Sequence, residues 1–223
     1  MKAMLLAAGR GERMRPLTDQ TPTPLLPVAG RPLIAWHLQR LAGAGILDVV
    51  INLSWLGESI ASALGDGAAY GVRIQYSREP WPALETGGGI RAALPLLGDE
   101  PFLLVNGDVY ADLDFASLRL DGADLAQLVL VRNPEHHLRG DFCLNDGRIV
   151  AEGGERLTYS GIGVLHPQLL AALPPGRFPL LPSLLQALQA GRLGGQRHDG
   201  LWMDVGTPER LAQLDAALQR VRK

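Results

Sequence analysis

Short apolar runs alternate with amphipathic stretches along the first half of this 223-residue chain. This alternation constrains the fold most strongly, because strands that alternate with helices form βα units around a largely parallel sheet. The predicted strands are 4–8, 48–53, 72–76 and 102–106, and the predicted helices are 32–44, 60–64 and 89–97. We therefore predict an α/β fold, a Rossmann-like three-layer sandwich with a mixed, mostly parallel central sheet.

The second half of the chain has a different pattern, in which strand-like runs follow one another with little helix between them. These runs are 125–132, 140–145, 148–151 and 159–165. Two helices, 181–190 and 208–222, flank a last strand or turn at 201–205. Because the sequence contains no internal repeat and no long linker, we expect a single domain over residues 1–223.

Composition argues against nucleic acid and a membrane as partners and indicates the cellular compartment. The formal net charge is −2 and the pI is about 6.2, so the chain has no basic surplus with which to bind nucleic acid. The lone cysteine, Cys143, is typical of a reducing compartment and indicates a cytoplasmic protein. The apolar start is broken at Gly9 and Arg10, too early for a membrane span. A small anionic ligand remains compatible with this composition.

A glycine-rich loop, residues 8–15, follows the first predicted strand directly. Gly9 and Gly11 are spaced so that backbone N–H groups can surround phosphate oxygens. Arg10, Arg13 and Arg15 add fork-shaped cationic donors that suit phosphate. The loop lacks the Lys-Ser/Thr end of a Walker loop and the third glycine of a dinucleotide fingerprint, and a simple turn remains the alternative.

Three further motifs and a proline-rich segment at 21–32 accompany this loop. The motifs run from Glu85 to Gly89, from Asn106 to Val109 and from Trp202 to Thr207. Together with the loop they resemble the sugar-1-phosphate nucleotidyltransferases, and the resemblance extends over the whole chain. It implies a GT-A-like nucleotidyltransferase fold in which residues 1–110 bind the nucleotide and 111–223 bind the sugar phosphate.

The resemblance also implies a reaction, in which a sugar 1-phosphate attacks the α-phosphorus of a nucleoside triphosphate and pyrophosphate leaves. Arg13 would grip the triphosphate, and Asp108 and Asp204 would hold Mg²⁺, which binds to one or two carboxylates plus phosphates and waters. The nucleophile is already an anion, so no general base is needed. Taken as isolated residues, Asp108 also suits a turn and Asp204 a helix N-cap.

Two sets of binding residues follow from the same resemblance. The nucleotide-binding set is Leu6, Ala8, Gly9, Arg10, Gly11, Glu12, Arg13, Thr23, Glu79, Thr86, Gly87, Gly88, Asn106 and Gly107. In this set Glu79 would accept a hydrogen bond from the base. The sugar-phosphate set is Gly140, Asp141, Glu152, Ser160 and Gly161. The neighbouring pair His136 and His137 has no carboxylate in helical register, so we expect a solvated loop there.

One position departs from the family pattern, because Thr23-Pro24 stands where a Lys-Pro pair is expected. A hydroxyl brings no charge, and charge-assisted hydrogen bonds are roughly twice as strong as neutral ones. Arg10 or Arg15 could compensate. Otherwise turnover would be slow, or the protein would be a non-catalytic sensor of nucleotide or sugar phosphate.

Substrate choice can be narrowed within the family. The Glu85–Gly89 motif and the ending soon after residue 207 are most similar to members that use UTP and a muramic-type sugar phosphate in cell-wall sugar recycling. The alternative is mannose or glucose 1-phosphate with GTP, UTP or dTTP, since base choice rests on few contacts. The short C-terminal helix is compatible with a monomer.

Overall fold

A computed structural model of the chain describes residues 1–221. The strands are β1 Lys2–Leu6, β2 Pro27–Val28, β3 Arg31–Pro32, β4 Asp48–Leu53, β5 Arg73–Arg78, β6 Phe102–Asn106, β7 Val109–Ala111, β8 Ala126–Val131, β9 Phe142–Asn145, β10 Arg148–Val150, β11 Glu155–Leu165, β12 Leu193–Arg197 and β13 Trp202–Asp204. The helices are α1 Leu33–Gly43, α2 Gly57–Leu64, α3 Glu85–Leu97, α4 Gln168–Ala171, α5 Leu181–Gln189 and α6 Pro208–Val221. Residue 222, the predicted end of the last helix, lies outside the described residues.

Within residues 1–221 a nine-stranded sheet forms the centre of the molecule, in the order β5-β4-β1-β6-β11-β8-β12-β10-β9. The four strands of the first half, β5, β4, β1 and β6, are parallel to one another. From β6 onward the pairing is antiparallel except between β8 and β12. The α/β three-layer fold and the mixed sheet are confirmed, but the expectation of a mostly parallel sheet holds only for the first half.

Helices cover both faces of this sheet, which explains the apolar runs of its central strands. On one face α1 and α2 pack against side chains of β1, β4 and β6, with Leu38 and Ile51 fully buried. On the other face α3, α4 and α5 pack against β1, β6 and β8, with Ile90 and Leu104 fully buried. None of the helices within the described residues is long and apolar enough to cross a membrane.

A third apolar cluster attaches α6 to the segment after the glycine-rich loop. Leu214 and Leu218 of α6 pack with Met14, Val28 and Leu33. The Ala29 backbone N–H also donates to Asp215 Oδ1 at 2.7 Å. The last helix therefore lies beside the start of the chain and brings the residues before it, 202–207, toward the glycine-rich loop.

Several strands differ from expectation, and the differences at β1 and β12 have a clear physical cause. β1 begins at Lys2 and ends at Leu6, because the Ala7 N–H turns out of the sheet and donates to Asn52 Oδ1 at 2.7 Å. β12 was not expected, since its Leu-Gly-Gly-Gln-Arg sequence has low strand propensity. It forms because its glycines fit a crowded place: a Cβ on Gly195 would lie 2.6 Å from Ile149 Cδ1.

Candidate active site

Polar residues collect where three adjacent parallel strands end. The glycine-rich loop follows β1, Asn52 lies near the end of β4, and Asn106 ends β6 with Asp108 two residues later. The carboxyl ends of parallel strands meet at one edge of the sheet, which is where ligands of open α/β sheets bind. The order of the strands thus produces the site.

Three cavities open at this edge. The first, about 200 Å³, is lined by Leu6, Gly9, Gly11, Thr23, Pro24, Thr86, Asn106 and Asp108. The second, about 380 Å³, is lined by Arg13, Asn106, Asp108, Val109, His136, His137, Thr158, Tyr159, Ser160, Gly161, Trp202 and Asp204. The third, about 220 Å³, is lined by Gly11, Glu12, Arg13, Met14, Thr23, Asp108, Val205 and Gly206. Asp108 borders all three, so it lies at their junction.

The two aspartates singled out from the sequence come together through a small two-stranded sheet. In the β7–β13 pairing Asp204 lies opposite Val109, and the Val205 N–H donates to the Asp108 carbonyl at 2.6 Å. Burial raises the pKa of the Asp108 carboxyl above its ordinary value, and the neighbouring charge of Asp204 raises it further. Two carboxylates brought together at a partly buried site favour a cation between them.

Asp204 lies between two basic side chains without forming a hydrogen bond to either. Its Oδ1 lies 3.2 Å from His136 Nε2, and its Oδ2 lies 3.2 Å from Arg210 Nη2. Neither contact has hydrogen-bond alignment, and Oδ1 is buried without a hydrogen-bond partner. A carboxylate oxygen that is buried without a hydrogen bond destabilises the fold unless another group, such as a cation, binds to it.

The three arginines of the glycine-rich loop have different environments. Arg10 donates to the Thr18 carbonyl and to Asp19 Oδ1, both at 2.7 Å, and its guanidinium stacks 4.0 Å from the Trp55 ring centroid. Arg15 pairs with the same Asp19 carboxylate at 2.9 Å. Both arginines are thus engaged by residues outside the loop, chiefly Asp19 just after it. Arg13 is exposed and borders the second and third cavities beside Asp108.

Thr23 faces the loop across a close contact with Gly11. Gly11 has φ +65°, and a Cβ built on it would lie 2.5 Å from Thr23 Oγ1, so glycine is required there. Thr23 is only 6% exposed, and its hydroxyl is buried without a hydrogen-bond partner. The side chain borders the first and third cavities. The position where the family pattern has lysine therefore does face the cavities.

The Glu85–Gly89 motif contributes one side chain to the cavities, Thr86. Its glycines allow close packing. A Cβ on Gly87 would lie 2.7 Å from Phe178 Cδ2, and one on Gly88 would overlap the Gly176 carbonyl. The Gly88 N–H also donates to the Phe178 carbonyl at 3.0 Å. Gly87 and Gly88 thus face the segment 176–179, which the sequence interpretation did not anticipate.

Glu79 belongs to a hydrogen-bonded chain that joins the loop after β1 to the start of α3. Asn52 Oδ1 accepts from Ala7 N–H, and Asn52 Nδ2 donates to Glu79 Oε1 at 2.6 Å. Glu79 Oε2 accepts from the Leu84 N–H at 2.8 Å. Each carboxylate oxygen can accept a second hydrogen bond, so capacity toward a base remains. Asn52 was missed, because an asparagine near the end of a buried strand has no motif around it.

The remaining nucleotide-set residues lie close by. Ala8 is buried behind the loop, and Glu12 is exposed at the edge of the third cavity. Gly107 donates its N–H to the Leu6 carbonyl at 2.9 Å, and a Cβ there would overlap that carbonyl. Asn106 borders the first and second cavities and packs against Gly161.

The sugar-phosphate set divides into residues at the second cavity and residues away from it. Ser160 and Gly161 line this cavity. Asp141 lies behind it, where its two oxygens contact His137 Nε2 at 2.9 Å and the Tyr159 N–H at 2.8 Å. Gly140, with φ +60°, packs against the Leu157 carbonyl. Glu152 is exposed in the turn after β10, outside the residues that line these cavities.

His136 and His137 remain partly exposed to solvent, as expected, but they do not lie in an irregular loop. They form a short turn of 3₁₀ helix, Glu135–His137, which closes one side of the second cavity. The expectation of no carboxylate in helical register was wrong for His137, whose Nε2 lies 2.9 Å from Oδ1 of Asp141, four positions later. His136 Nε2 lies 3.2 Å from Asp204 Oδ1, 68 positions further along the chain. Sequence spacing alone gives no signal for such a contact.

Comparison with known proteins identifies the family of this chain. The nucleotidyl transferase family model matches residues 2–139. The chain belongs to the nucleotidyl transferase family. It is 53% identical to an N-acetylmuramate alpha-1-phosphate uridylyltransferase of Neisseria meningitidis, over 97% of each chain. A protein of the same name from Caulobacter vibrioides is 36% identical, over 97% of this chain and 96% of the relative.

A solved structure supports the fold assignment of this nucleotidyl transferase. The crystal structure of a Bacillus anthracis protein assigned as a glucose-1-phosphate thymidylyltransferase superposes with a TM-score of 0.85 at 22% identity. The superposition covers 97% of this chain and 94% of that one. The three-layer fold is therefore that of sugar-phosphate nucleotidyl transferases, and the Arg13, Asp108 and Asp204 cluster lies at its strand ends.

Proposed function

We propose that this nucleotidyl transferase transfers a uridylyl group from UTP to N-acetylmuramic acid α-1-phosphate, giving UDP-N-acetylmuramic acid and pyrophosphate. The observation that carries the proposal is the convergence of Asp108, Asp204 and Arg13 around connected cavities at the strand ends. The choice of UTP and of a muramic-type acceptor is supported by the 53% identity to the Neisseria meningitidis uridylyltransferase over nearly the whole chain. A cytoplasmic role in cell-wall sugar recycling follows from that choice.

The proposed positions of the substrates follow from the cavities. The uridine enters the first cavity, next to Leu6, Gly9 and Thr86. The triphosphate extends past Gly11 toward Arg13 and the third cavity. The sugar phosphate occupies the second cavity, against Ser160, Gly161 and the His136–His137 turn. Asp108, at the junction, then lies beside the α-phosphorus.

In this arrangement the chain contributes positioning and charge. The acceptor phosphate is already an anionic nucleophile, so its oxygen attacks the α-phosphorus in line with the departing pyrophosphate, and no proton needs to be removed. Arg13 lines the third cavity, where its guanidinium neutralises charge on the oxygens of the departing pyrophosphate. It is close enough to the reaction centre for its charge to act on Asp108 as well. Arg10 supports the loop through Thr18, Asp19 and Trp55 rather than contacting phosphate.

The residues present fit Mg²⁺ as the cofactor. Asp204 Oδ1 is buried without a hydrogen-bond partner, and the charge of Asp204 raises the pKa of Asp108, which burial has already raised. The described residues contain no cluster of three or more protein ligands. This suits a metal held by one or two carboxylates plus phosphates and waters. When bound, Mg²⁺ would neutralise phosphate charge and act as a Lewis acid at the α-phosphate.

A pyrophosphate-release assay with a substrate panel tests the proposal. Purified protein is incubated with UTP, GTP or dTTP and with the 1-phosphates of N-acetylmuramic acid, mannose or glucose. We expect Mg²⁺-dependent release that is fastest with UTP and N-acetylmuramic acid α-1-phosphate. Faster release with mannose or glucose 1-phosphate would refute the acceptor assignment. Tight UTP binding without release from any pair would refute the enzymatic assignment.

A further inference from the structure

Because Thr23 stands where the family pattern has lysine, one positive charge is missing beside the proposed triphosphate site. Arg10 and Arg15 share the Asp19 carboxylate, and Arg10 also binds the Thr18 carbonyl. Among the loop arginines, Arg13 alone faces the cavities. A triphosphate carries several negative charges, so one exposed arginine and a metal leave much of it unneutralised. A further cation near Arg13 would resolve this.

Arg210, in the first turn of α6, lies near Arg13. The two side chains converge over Gly206: a Cβ built on Gly206 would lie 2.5 Å from Arg210 Nη2 and 2.7 Å from Arg13 Nη2. A side chain at position 206 would overlap both guanidinium groups, so glycine is what lets them come this close. Gly206 and Arg13 line the third cavity, and Arg210 lines a neighbouring cavity of about 410 Å³ together with Asp204 and His136. Two cations held this close repel each other, and an anion between them would remove that repulsion.

The side of Arg210 that could hold such an anion makes no hydrogen bond, although its Nη2 lies in a salt bridge with Asp204. Its Nε and Nη2 are both buried without a hydrogen-bond partner. These two nitrogens form one edge of the guanidinium, which binds two oxygens side by side. Arg73 shows the filled arrangement, since its Nε and Nη2 donate to the two oxygens of Asp48, each at 2.8 Å. Asp204 is 3.2 Å from Arg210 Nη2 but lies out of line for a hydrogen bond.

We propose that Arg13 and Arg210 form a paired-arginine cradle over Gly206 that binds the pyrophosphoryl part of the triphosphate. Arg210 supplies the positive charge that Thr23 does not. The inference rests on the proposed function, because it assigns a residue to the triphosphate of that reaction. It identifies a phosphate-binding residue that lies outside every motif on which the family resemblance was based.

Calorimetric binding in the absence of acceptor tests the cradle without turnover. Wild type, Arg210→Gln, Arg210→Lys and the matched control Arg220→Gln are titrated with UTP, UMP and pyrophosphate at fixed Mg²⁺. Arg220 is exposed in the last turn of the same helix. We expect Arg210→Gln to weaken UTP and pyrophosphate binding by about tenfold or more, the effect of one charge-assisted hydrogen bond, and to leave UMP binding unchanged. Arg210→Lys should be intermediate and Arg220→Gln unchanged.

Other outcomes separate the competing explanations. Equal weakening of UTP and UMP, or no weakening at all, would overturn the cradle. The titrations are repeated over a series of Mg²⁺ concentrations. If Arg210→Gln then needs more Mg²⁺ but keeps the preference for UTP over UMP, the cradle is overturned, because Arg210 would serve only to orient Asp204. If Arg210→Gln selectively weakens UTP and pyrophosphate binding but wild type releases no pyrophosphate with any acceptor, the proposed function fails while the cradle stands. Thermal unfolding of each variant checks that the fold is intact.

Discussion

Thr23→Lys introduces the charge that the family pattern places at this position. Thr23 borders cavities of about 200 and 220 Å³, so a longer side chain has space to extend beside Gly11. A hydrogen bond to a charged group contributes roughly 1.5–3 kcal/mol and a neutral one about 0.5–1.5 kcal/mol. The exchange is therefore worth about 1–1.5 kcal/mol at the triphosphate, which corresponds to roughly a tenfold gain in kcat/KM for UTP.

Stability provides a second readout of the same substitution. Thr23 is 6% exposed, so a lysine ammonium there is poorly hydrated before nucleotide binds. We expect Thr23→Lys to lower Tm in the absence of ligand and to recover it with UTP and Mg²⁺. Thr23→Met is the matched control, since methionine is long and flexible but uncharged. It should lower kcat/KM, because the hydroxyl is lost and no charge is gained.

The assay is steady-state pyrophosphate release with UTP varied at saturating acceptor. Equal kcat/KM values for Thr23→Lys and Thr23→Met would refute the reasoning, because the position would then make no polar contact with the phosphates. If Thr23→Lys has the kcat/KM of wild type and Thr23→Met a lower one, the existing arginines already neutralise the triphosphate, and a further positive charge adds nothing.

Asp108→Asn should abolish Mg²⁺-dependent turnover with little change in Tm, and retained activity would contradict its assignment as a metal ligand. Burial lowers the pKa of His37 to about 4, so the unfolded chain binds the additional proton as pH falls through 6.5 toward 4. Stability should therefore drop by about 2 kcal/mol between pH 7 and pH 5. Urea unfolding of His37→Gln should lack this component; an equal drop in the variant would contradict the attribution. Gly88→Ala should destabilise by about 1–3 kcal/mol, because its methyl overlaps the Gly176 carbonyl, and an unchanged urea midpoint would show that the 176–179 segment moves aside.

The elements that the sequence predicted well are those with a clear local hydrophobic pattern. β4 and β6 lie at the predicted bounds, since both are buried runs whose apolar character is uniform. β12 was missed, because Gly194 and Gly195 carry no strand signal and are selected by contacts with Gln127 and Ile149. Such contacts join residues far apart in the chain, which no local pattern records.

For the site, the sequence identified residue types near strand ends, and the tertiary structure decided their roles. The arginines at 10, 13 and 15 are equivalent in sequence, but Asp19 and Trp55 engage Arg10, and Asp19 also pairs with Arg15, which leaves Arg13 facing the cavities. Likewise, Gly87 and Gly88 are placed against the segment 176–179 by helix packing.

The sequence by itself determined the α/β order, the glycine-rich loop and the carboxylates near strand and loop ends, because each depends on neighbours a few residues away. Only the tertiary structure decided that Asp204 meets His136, and that Arg210 converges with Arg13 over Gly206. Those contacts depend on how α6 packs beside the start of the chain through Leu214 and Leu218. Apolar packing is not directional, so the partners it brings together cannot be assigned from spacing.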